Sequence, residues 1–241
     1  MINRNLKKYI LLSLFIIGIG TASRADGNLP LVDQKLIHFG FLLGINNMDF
    51  NVTVKDSAKN SPSRDRVQVS TLQPGFTVGI ISDLRLNRYL NLRFTPTLYF
   101  GERLLNYSFK GGITGKDSTV HISSIPISFP IYLKYSAERK GNYRPYLIWG
   151  GGVSFDLATN PSGDNPVLLK PVNVYTEFGV GCDIYFSFFK LAPELKYSIG
   201  LNDIFLPISA RTSSVNPSNQ RFSKVLDKLT SKMFTLCFNF E

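Results

Sequence analysis

The chain of 241 residues is 44% hydrophobic and 13% aromatic, and only 18% of its residues are charged, against about a quarter in an average soluble domain. Its apolar share excludes a disordered chain, and a mean hydropathy of +0.02 excludes a bundle of membrane helices. Of the formal net charge of +10, four positive charges fall within residues 1–25, and the remaining +6 comes from cations that are spread along the chain without a clustered tract, so we expect no nucleic-acid partner.

The N-terminus has the pattern of a secretory signal peptide. Three cations precede an apolar stretch at residues 9–19, and a small-x-small cleavage site follows at residues 23–25. This apolar stretch is typical of a secretory signal, because a membrane-spanning helix needs roughly 20 residues. We therefore predict a signal peptide over residues 1–25 and a single exported domain over residues 26–241.

Beyond the signal, apolar and polar residues alternate with period two in eight runs, which indicates half-buried β-strands. One face of each run carries Phe, Leu, Ile and Val, and the other carries Gly, Ser, Thr, Asn and scattered charges. The runs lie at residues 37–46, 75–80, 89–100, 125–136, 144–155, 177–188, 194–199 and 234–240. Between the last two runs, residues 221–232 have the pattern of a short amphipathic helix.

The links between the runs alternate in length. Three links are short, near residues 83–88, 137–142 and 187–190. Four links are long and polar, at residues 46–70, 102–123, 157–171 and 202–230. Short turns at one end and long loops at the other are typical of outer-membrane barrels. We therefore predict an all-β fold, an eight-stranded antiparallel transmembrane β-barrel with short periplasmic turns and long extracellular loops in the bacterial outer membrane.

A soluble, lipocalin-like barrel is the alternative fold, because its strands also alternate. In a soluble barrel the apolar residues face inward and the polar residues face water. Here one face is almost purely apolar, while the other combines glycines with charges of both signs, which favours lipid outside and a narrow polar lumen inside. Eight strands enclose a lumen that side chains can fill, so we expect no open pore.

Six charged residues fall on the inward face of the alternation. Charges in a narrow interior of low dielectric have to pair, so we predict at least one buried network of ion pairs among them, with a structural role. These residues are Arg93, Lys134, Glu177, Asp183, Glu194 and Lys196.

The sequence contains no motif that indicates catalysis, a cofactor or a metal. An enzyme built on His38 with lumenal Ser and Glu residues is a weaker alternative, because no spacing motif supports it. The triplet at residues 150–152 lacks the following helix that a phosphate-binding glycine loop needs. Alternation places Cys182 outward and Cys237 inward, which is incompatible with a disulfide. We predict a non-enzymatic protein with two free thiols and without a small-molecule substrate.

Three stretches are similar to the PorT-like family of outer-membrane barrels. The segments SSIPISFPIYLKYSAERKGNYRPYLIWGGGVSF (123–155) and EFGVGCDIYFSFFKLAPELKYSIGLNDIF (177–205) resemble paired strands of that family, and HFGFLLGINNMDF (38–50) resembles its first strand. The aromatic strand that ends at Phe240 is similar to the sorting signal of outer-membrane barrels, although in those the aromatic is usually the last residue and here Glu241 follows it.

The resemblance implies a component of the type IX secretion system, which exports proteins with C-terminal signal domains and in some species accompanies gliding motility. It implies no catalytic residue. The expected partners are outer-membrane lipid and other secretion-machinery proteins of the outer membrane or periplasm. An autonomous small barrel with a structural, adhesive or minor-solute role is the alternative function.

Overall fold

The computed structural model describes residues 28–29, 32–54, 66–69, 73–108, 118–158, 166–208, 223 and 225–241. The signal peptide predicted over residues 1–25 lies outside the described residues. Within the described ranges, no helix combines the length and the apolar character that crossing a membrane requires.

The described chain contains one short 3-10 helix, η1 (Val32–Gln34), and thirteen β-strands. The strands are β1 (Ile37–Val54), β2 (Arg66–Val69), β3 (Pro74–Arg85), β4 (Leu90–Phe94), β5 (Thr97–Ser108), β6 (Ser118–Ser124), β7 (Pro126–Ser136), β8 (Tyr143–Asp156), β9 (Leu168–Leu169), β10 (Val172–Tyr185), β11 (Lys190–Gly200), β12 (Phe205–Leu206) and β13 (Leu226–Phe240).

The main sheet closes on itself as an antiparallel barrel. Strand β1 pairs with β13 on one side and with β3 on the other. The ring continues from β3 through β4 and β5, which occupy one position, to β7, β8, β10, β11 and back to β13. The all-β barrel predicted from the sequence is confirmed. The structure has thirteen described strands where the sequence predicts eight, mainly because some of the eight positions in the ring contain two strands.

Prolines explain two of the extra strands. Pro96 separates β4 from β5, and Pro126 follows the break between β6 and β7. Proline has no N–H to donate to a strand ladder, so a ladder hydrogen bond is missing at each of these two breaks. Pro130, Pro145 and Pro193 are accommodated inside β7, β8 and β11. Two further strands, β9 and β12, form a separate ribbon within the long links at residues 157–171 and 202–230, where the sequence shows no alternation.

Several boundaries predicted from the sequence are wrong. Strand β1 continues to Val54, and β2, the end of β5 and most of β6 lie within the links predicted at residues 46–70 and 102–123. Strand β13 begins at Leu226, where its first residues pair with the far end of β1, so the helix predicted at residues 221–232 is wrong for residues 226–232. Asp83 and Lys190 lie inside β3 and β11 instead of in turns. In each case a paired neighbouring strand extends the ladder beyond the part that the apolar alternation marks.

The barrel has a turn end, where residues 86–89, 137–142 and 186–189 connect neighbouring strands, and an opposite loop end. Its outer wall is apolar. Phe39 and Trp149, for example, are 69% and 64% exposed, whereas Leu42 and Asn46 on the inward side of β1 are buried. A continuous wall of exposed aromatic and aliphatic side chains fits lipid and excludes the soluble barrel.

Gly150 lies where β7 and β8 approach each other closely. In the sheet it is paired with Tyr132 on one side and with Glu177 on the other, and the Tyr132 hydroxyl donates a hydrogen bond to Glu177. A Cβ atom at position 150 would lie 2.0 Å from the Ile131 carbonyl oxygen and 2.8 Å from the Tyr132 Cα. Both are backbone atoms, so a side chain at this position requires the strands to move apart.

We expect the substitution Gly150→Ala to destabilise the folded barrel by about 1–3 kcal/mol, as overpacking of a tight site does. The measurement is the urea midpoint of folding in detergent micelles. Gly101→Ala is the matched control, because its Cβ would meet only side-chain atoms, the nearest being Asn46 Oδ1 at 3.3 Å. Equal midpoints for the two variants would contradict this account of Gly150.

Candidate functional site

Arg93 is the centre of a charge cluster in the lumen near the turn end. Its Nε donates to Asp83 Oδ2 at 2.9 Å, and its two terminal nitrogens donate to Glu194 Oε2 at 3.3 Å and to Glu241 Oε1 at 2.7 Å. The side chains of all four residues are at most 4% exposed. One guanidinium therefore joins β3, β4, β11 and the residue that follows β13, and its planar array of donors suits it to several carboxylates at once.

Lys134 and Asp183 form a second pair beside this cluster. The ammonium of Lys134 donates to both carboxylate oxygens of Asp183, at 3.0 and 2.8 Å, and lies 4.0 Å from the centre of the Tyr146 ring. The Tyr146 hydroxyl in turn donates to Glu194 at 2.7 Å. This tyrosine therefore connects the Lys134 pair to the Arg93 cluster.

Glu177 is the centre of the third group, farther from the turn end. Its carboxylate lies 3.2 Å from Lys196 Nζ and accepts hydrogen bonds from the Tyr132 and Ser198 hydroxyls. Lys196 Nζ also lies 4.0 Å from Glu194, the residue that bonds Arg93. The three groups form one chain of contacts through the barrel, which we call the lumenal network.

The structure places all six charged residues singled out in the sequence inside the lumen and in this network. They contact one another as Arg93 with Glu194, Lys134 with Asp183, and Lys196 with both Glu177 and Glu194.

Sequence reasoning missed three members of the network, Asp83, Lys190 and Glu241. Lys190 Nζ lies 2.5 Å from Glu241 Oε2, and the backbones of these two residues exchange hydrogen bonds at 2.8 and 3.0 Å. The signal that could have found all three is the period of two, since Asp83 and Lys190 lie two residues from a buried residue of their own strand, and Glu241 lies two residues after the buried Asn239 of β13. Because the three residues are polar, the sequence pattern did not distinguish them from residues of a turn or of a chain end.

Residues before β1 fold across the turn end and close it. Asp33 accepts a hydrogen bond from the Tyr185 hydroxyl at 2.7 Å and lies 3.4 Å from both Arg139 and Arg144. His38, which the sequence offered as a catalytic candidate, has its Nε2 at 2.6 Å from the backbone carbonyl of Val32. These contacts fix the segment around η1 to the turn at residues 137–142.

The loop end is closed by different chemistry. A cluster of buried apolar side chains occupies it, contributed by β1, β5, β6, β13 and the β9–β12 ribbon. Its members include Phe50, Leu105, Leu169, Phe205, Leu226 and Leu229.

Between this cluster and the lumenal network lie two cavities of about 20 Å³ each. A cavity of that size holds a single water molecule, so side chains leave little space between the lumenal network and the apolar cluster.

In the described part of the chain, no three His, Cys, Asp or Glu residues are grouped as metal ligands would be. Both cysteines are free, with Cys237 buried and Cys182 half-buried.

A family model described as an outer membrane protein beta-barrel domain matches residues 24–206, in agreement with this architecture. Among solved structures, the chain is similar to the crystal structure of the outer membrane protein OprG from Pseudomonas aeruginosa, with a TM-score of 0.44, 15% sequence identity, and coverage of 85% of this chain and 92% of that one. No curated protein matches the chain significantly.

We expect Arg93→Ala to lower the free energy of unfolding by about 3–5 kcal/mol, because it leaves three buried carboxylates without their shared cation. Urea midpoints in detergent micelles measure the change. Arg88→Ala is the control: it breaks an exposed pair with Glu138, whose side chains are 67% and 63% exposed, and such pairs contribute about 1 kcal/mol or less. An unchanged midpoint for Arg93→Ala would show that the cluster does not stabilise the barrel.

A double-mutant cycle tests the pair of Lys134 and Asp183 separately. Lys134→Met and Asp183→Leu each leave one buried charge unpaired, so we expect a loss of about 3–5 kcal/mol from either. The double variant removes both charges and should recover most of that loss, because apolar replacements of a buried pair are often neutral. Additive losses would mean that the two residues act independently.

Proposed function

Because this chain belongs to the outer membrane protein beta-barrel domain family and is a β-barrel protein of the bacterial outer membrane, we propose that it serves the type IX secretion machinery as a non-enzymatic component. Its role there is to support the export of proteins with C-terminal signal domains and, in species that glide, motility. The choice of this machinery rests on the resemblance of residues 38–50, 123–155 and 177–205 to the PorT-like family.

The observation that supports a component acting through its surfaces is the filled lumen. Arg93, Lys134 and Lys196 are at most 2% exposed, and they and their partners occupy the interior near the turn end. The apolar cluster occupies the interior at the loop end. A barrel filled in this way offers partners its wall, its turns and its loops. We therefore propose contacts with outer-membrane lipid through the wall and with other secretion-machinery proteins through the two ends.

The contacts of the candidate catalytic groups support a non-enzymatic role. His38 is bonded to the Val32 carbonyl at the turn end, while the Ser198 hydroxyl donates to Glu177, which also pairs with Lys196. A catalytic set built on His38 needs a hydroxyl within hydrogen-bond reach of its imidazole. The imidazole is instead bonded to a backbone carbonyl, and the Glu177 carboxylate that accepts from Ser198 is paired with Lys196.

An autonomous small barrel with a structural, adhesive or minor-solute role is the second candidate. The observation that favours it is the closed ring, since β1 is paired on both sides and the barrel completes itself without a partner strand. The two candidates differ in whether other proteins depend on the barrel for their export.

Deletion of the gene separates the candidates. We expect proteins with C-terminal signal domains to accumulate in the periplasm and to disappear from the cell surface and the medium, as measured by immunoblots of cell fractions. Re-expression of the wild-type chain should restore export, and so should Arg88→Ala, which changes only an exposed ion pair. Normal export in the deletion strain would favour the autonomous barrel. Unchanged levels of an unrelated outer-membrane barrel serve as the control for general envelope damage.

A further inference from the structure

Arg103, on β5, is a buried cation that differs from the cations of the lumenal network. It is 6% exposed, and its Nε has no hydrogen-bond partner among the described residues. One terminal nitrogen lies 3.8 Å from Met48 Sδ, and the guanidinium carbon lies 4.8 Å from the centre of the Phe50 ring. The lumenal cations Arg93, Lys134, Lys190 and Lys196 each have a carboxylate oxygen between 2.5 and 3.2 Å away.

The carboxylates whose charge acts on Arg103 are Asp49 and Asp156, and both have other partners. Asp49 forms an ion pair with Lys232 at 3.0 Å. Asp156 accepts hydrogen bonds from the Ser124 hydroxyl and, at 3.0 Å, from the backbone N–H of Ile125. Within the described ranges, Arg103 therefore has only weak contacts, to a thioether and to an aromatic ring.

Arg103 lines both of the small cavities between the lumenal network and the apolar cluster. The cavities adjoin, because Arg103, Pro126, Ser154 and Asn173 line both of them. The one nearer the barrel centre, which we call the Arg103 cavity, is further lined by hydroxyl-bearing side chains. These are Ser128, Tyr175, Ser198 and Ser231. The other cavity is further lined by Asp156 and Lys170, which carry opposite charges, and by the apolar Leu169 and Ile204.

An uncompensated cation in this position is costly. Arginine keeps its proton in proteins, so Arg103 cannot become neutral as a buried lysine can. Effective penalties for a buried, unpaired charge amount to several kcal/mol. A water molecule in the cavity would give Arg103 Nε a hydrogen-bond acceptor. It would leave the guanidinium without a directly bonded anion.

We propose that the Arg103 cavity is a binding site for a single chloride ion. The Arg103 guanidinium supplies the charge and its Nε–H one hydrogen bond, and the Ser231 hydroxyl of the cavity wall supplies a further donor, whereas the Ser198 hydroxyl already donates to Glu177. A volume of about 20 Å³ admits a particle close to the size of a water molecule and excludes sulfate, phosphate and organic anions. The ion fixes the middle of the barrel by offsetting a charge for which the described chain provides no direct partner.

The first test compares thermal unfolding of the purified barrel in detergent micelles in sodium chloride and in sodium gluconate of equal ionic strength. We expect a saturable rise in Tm of about 2–4 °C in chloride, because gluconate is too large to enter. Arg103→Met should abolish the difference. Arg88→Met, which removes an exposed guanidinium, is the matched control and should retain it. Equal Tm values of the wild-type barrel in both salts, or a full chloride effect in Arg103→Met, would overturn the proposal.

The second test locates the ion in crystals grown in sodium bromide. An anomalous peak within hydrogen-bond distance of Arg103 Nε supports the site, and a water molecule alone at that position overturns it. Both experiments use the wild-type chain, so they remain decisive if Arg103→Met fails to fold. Neither depends on the secretion assay, because ion binding and export are measured separately.

Discussion

The interaction on which the rest of the structure depends is the set of bonds from the Arg93 guanidinium to Asp83, Glu194 and Glu241. Closing eight strand positions into a ring leaves an interior that side chains have to fill, and in lipid the polar ones have to be satisfied there. Arg93 meets this requirement for three carboxylates at once. It also ties β3, β4 and β11 to the residue after β13, so that the part of the barrel where the chain closes on itself is held from within.

The interior is filled by different kinds of side chain at the two ends of the barrel. Near the turn end, carboxylates, ammonium groups and tyrosine hydroxyls satisfy one another, and the segment around Asp33 covers them. Near the loop end, Phe50, Leu105 and their neighbours pack as an ordinary apolar core. Arg103 lies between these two regions. The Met48 thioether and the Phe50 ring contact it on the apolar side, and hydroxyl groups line the cavity on its polar side. This position explains why it lacks the ion pairs that the cations of the lumenal network have.

Much of this arrangement follows from alternation. A period of two assigns Lys134 and Lys196 to the lumen and Phe39 and Phe41 to the wall without any knowledge of pairing. Alternation does not identify strand residues beyond the last apolar residue of a run, as at Asp83 and Lys190. A polar residue at a strand end has the same sequence pattern as a residue in a turn. It also fails for β13, whose polar first half is extended because β1 runs alongside it up to Val54.

The sequence by itself determined that the chain forms an all-β outer-membrane barrel, which face of most strands is apolar, and six of the charges that point inward, because these depend on the order of residues along a single strand. Only the tertiary structure decided which charges meet. Glu241 and Arg93 lie 2.7 Å apart although 148 positions separate them in the chain. That distance depends on the register and closure of the whole ring, which the pattern of no single strand contains. The same closure left Arg103 beside a cavity and without a carboxylate partner in the described chain.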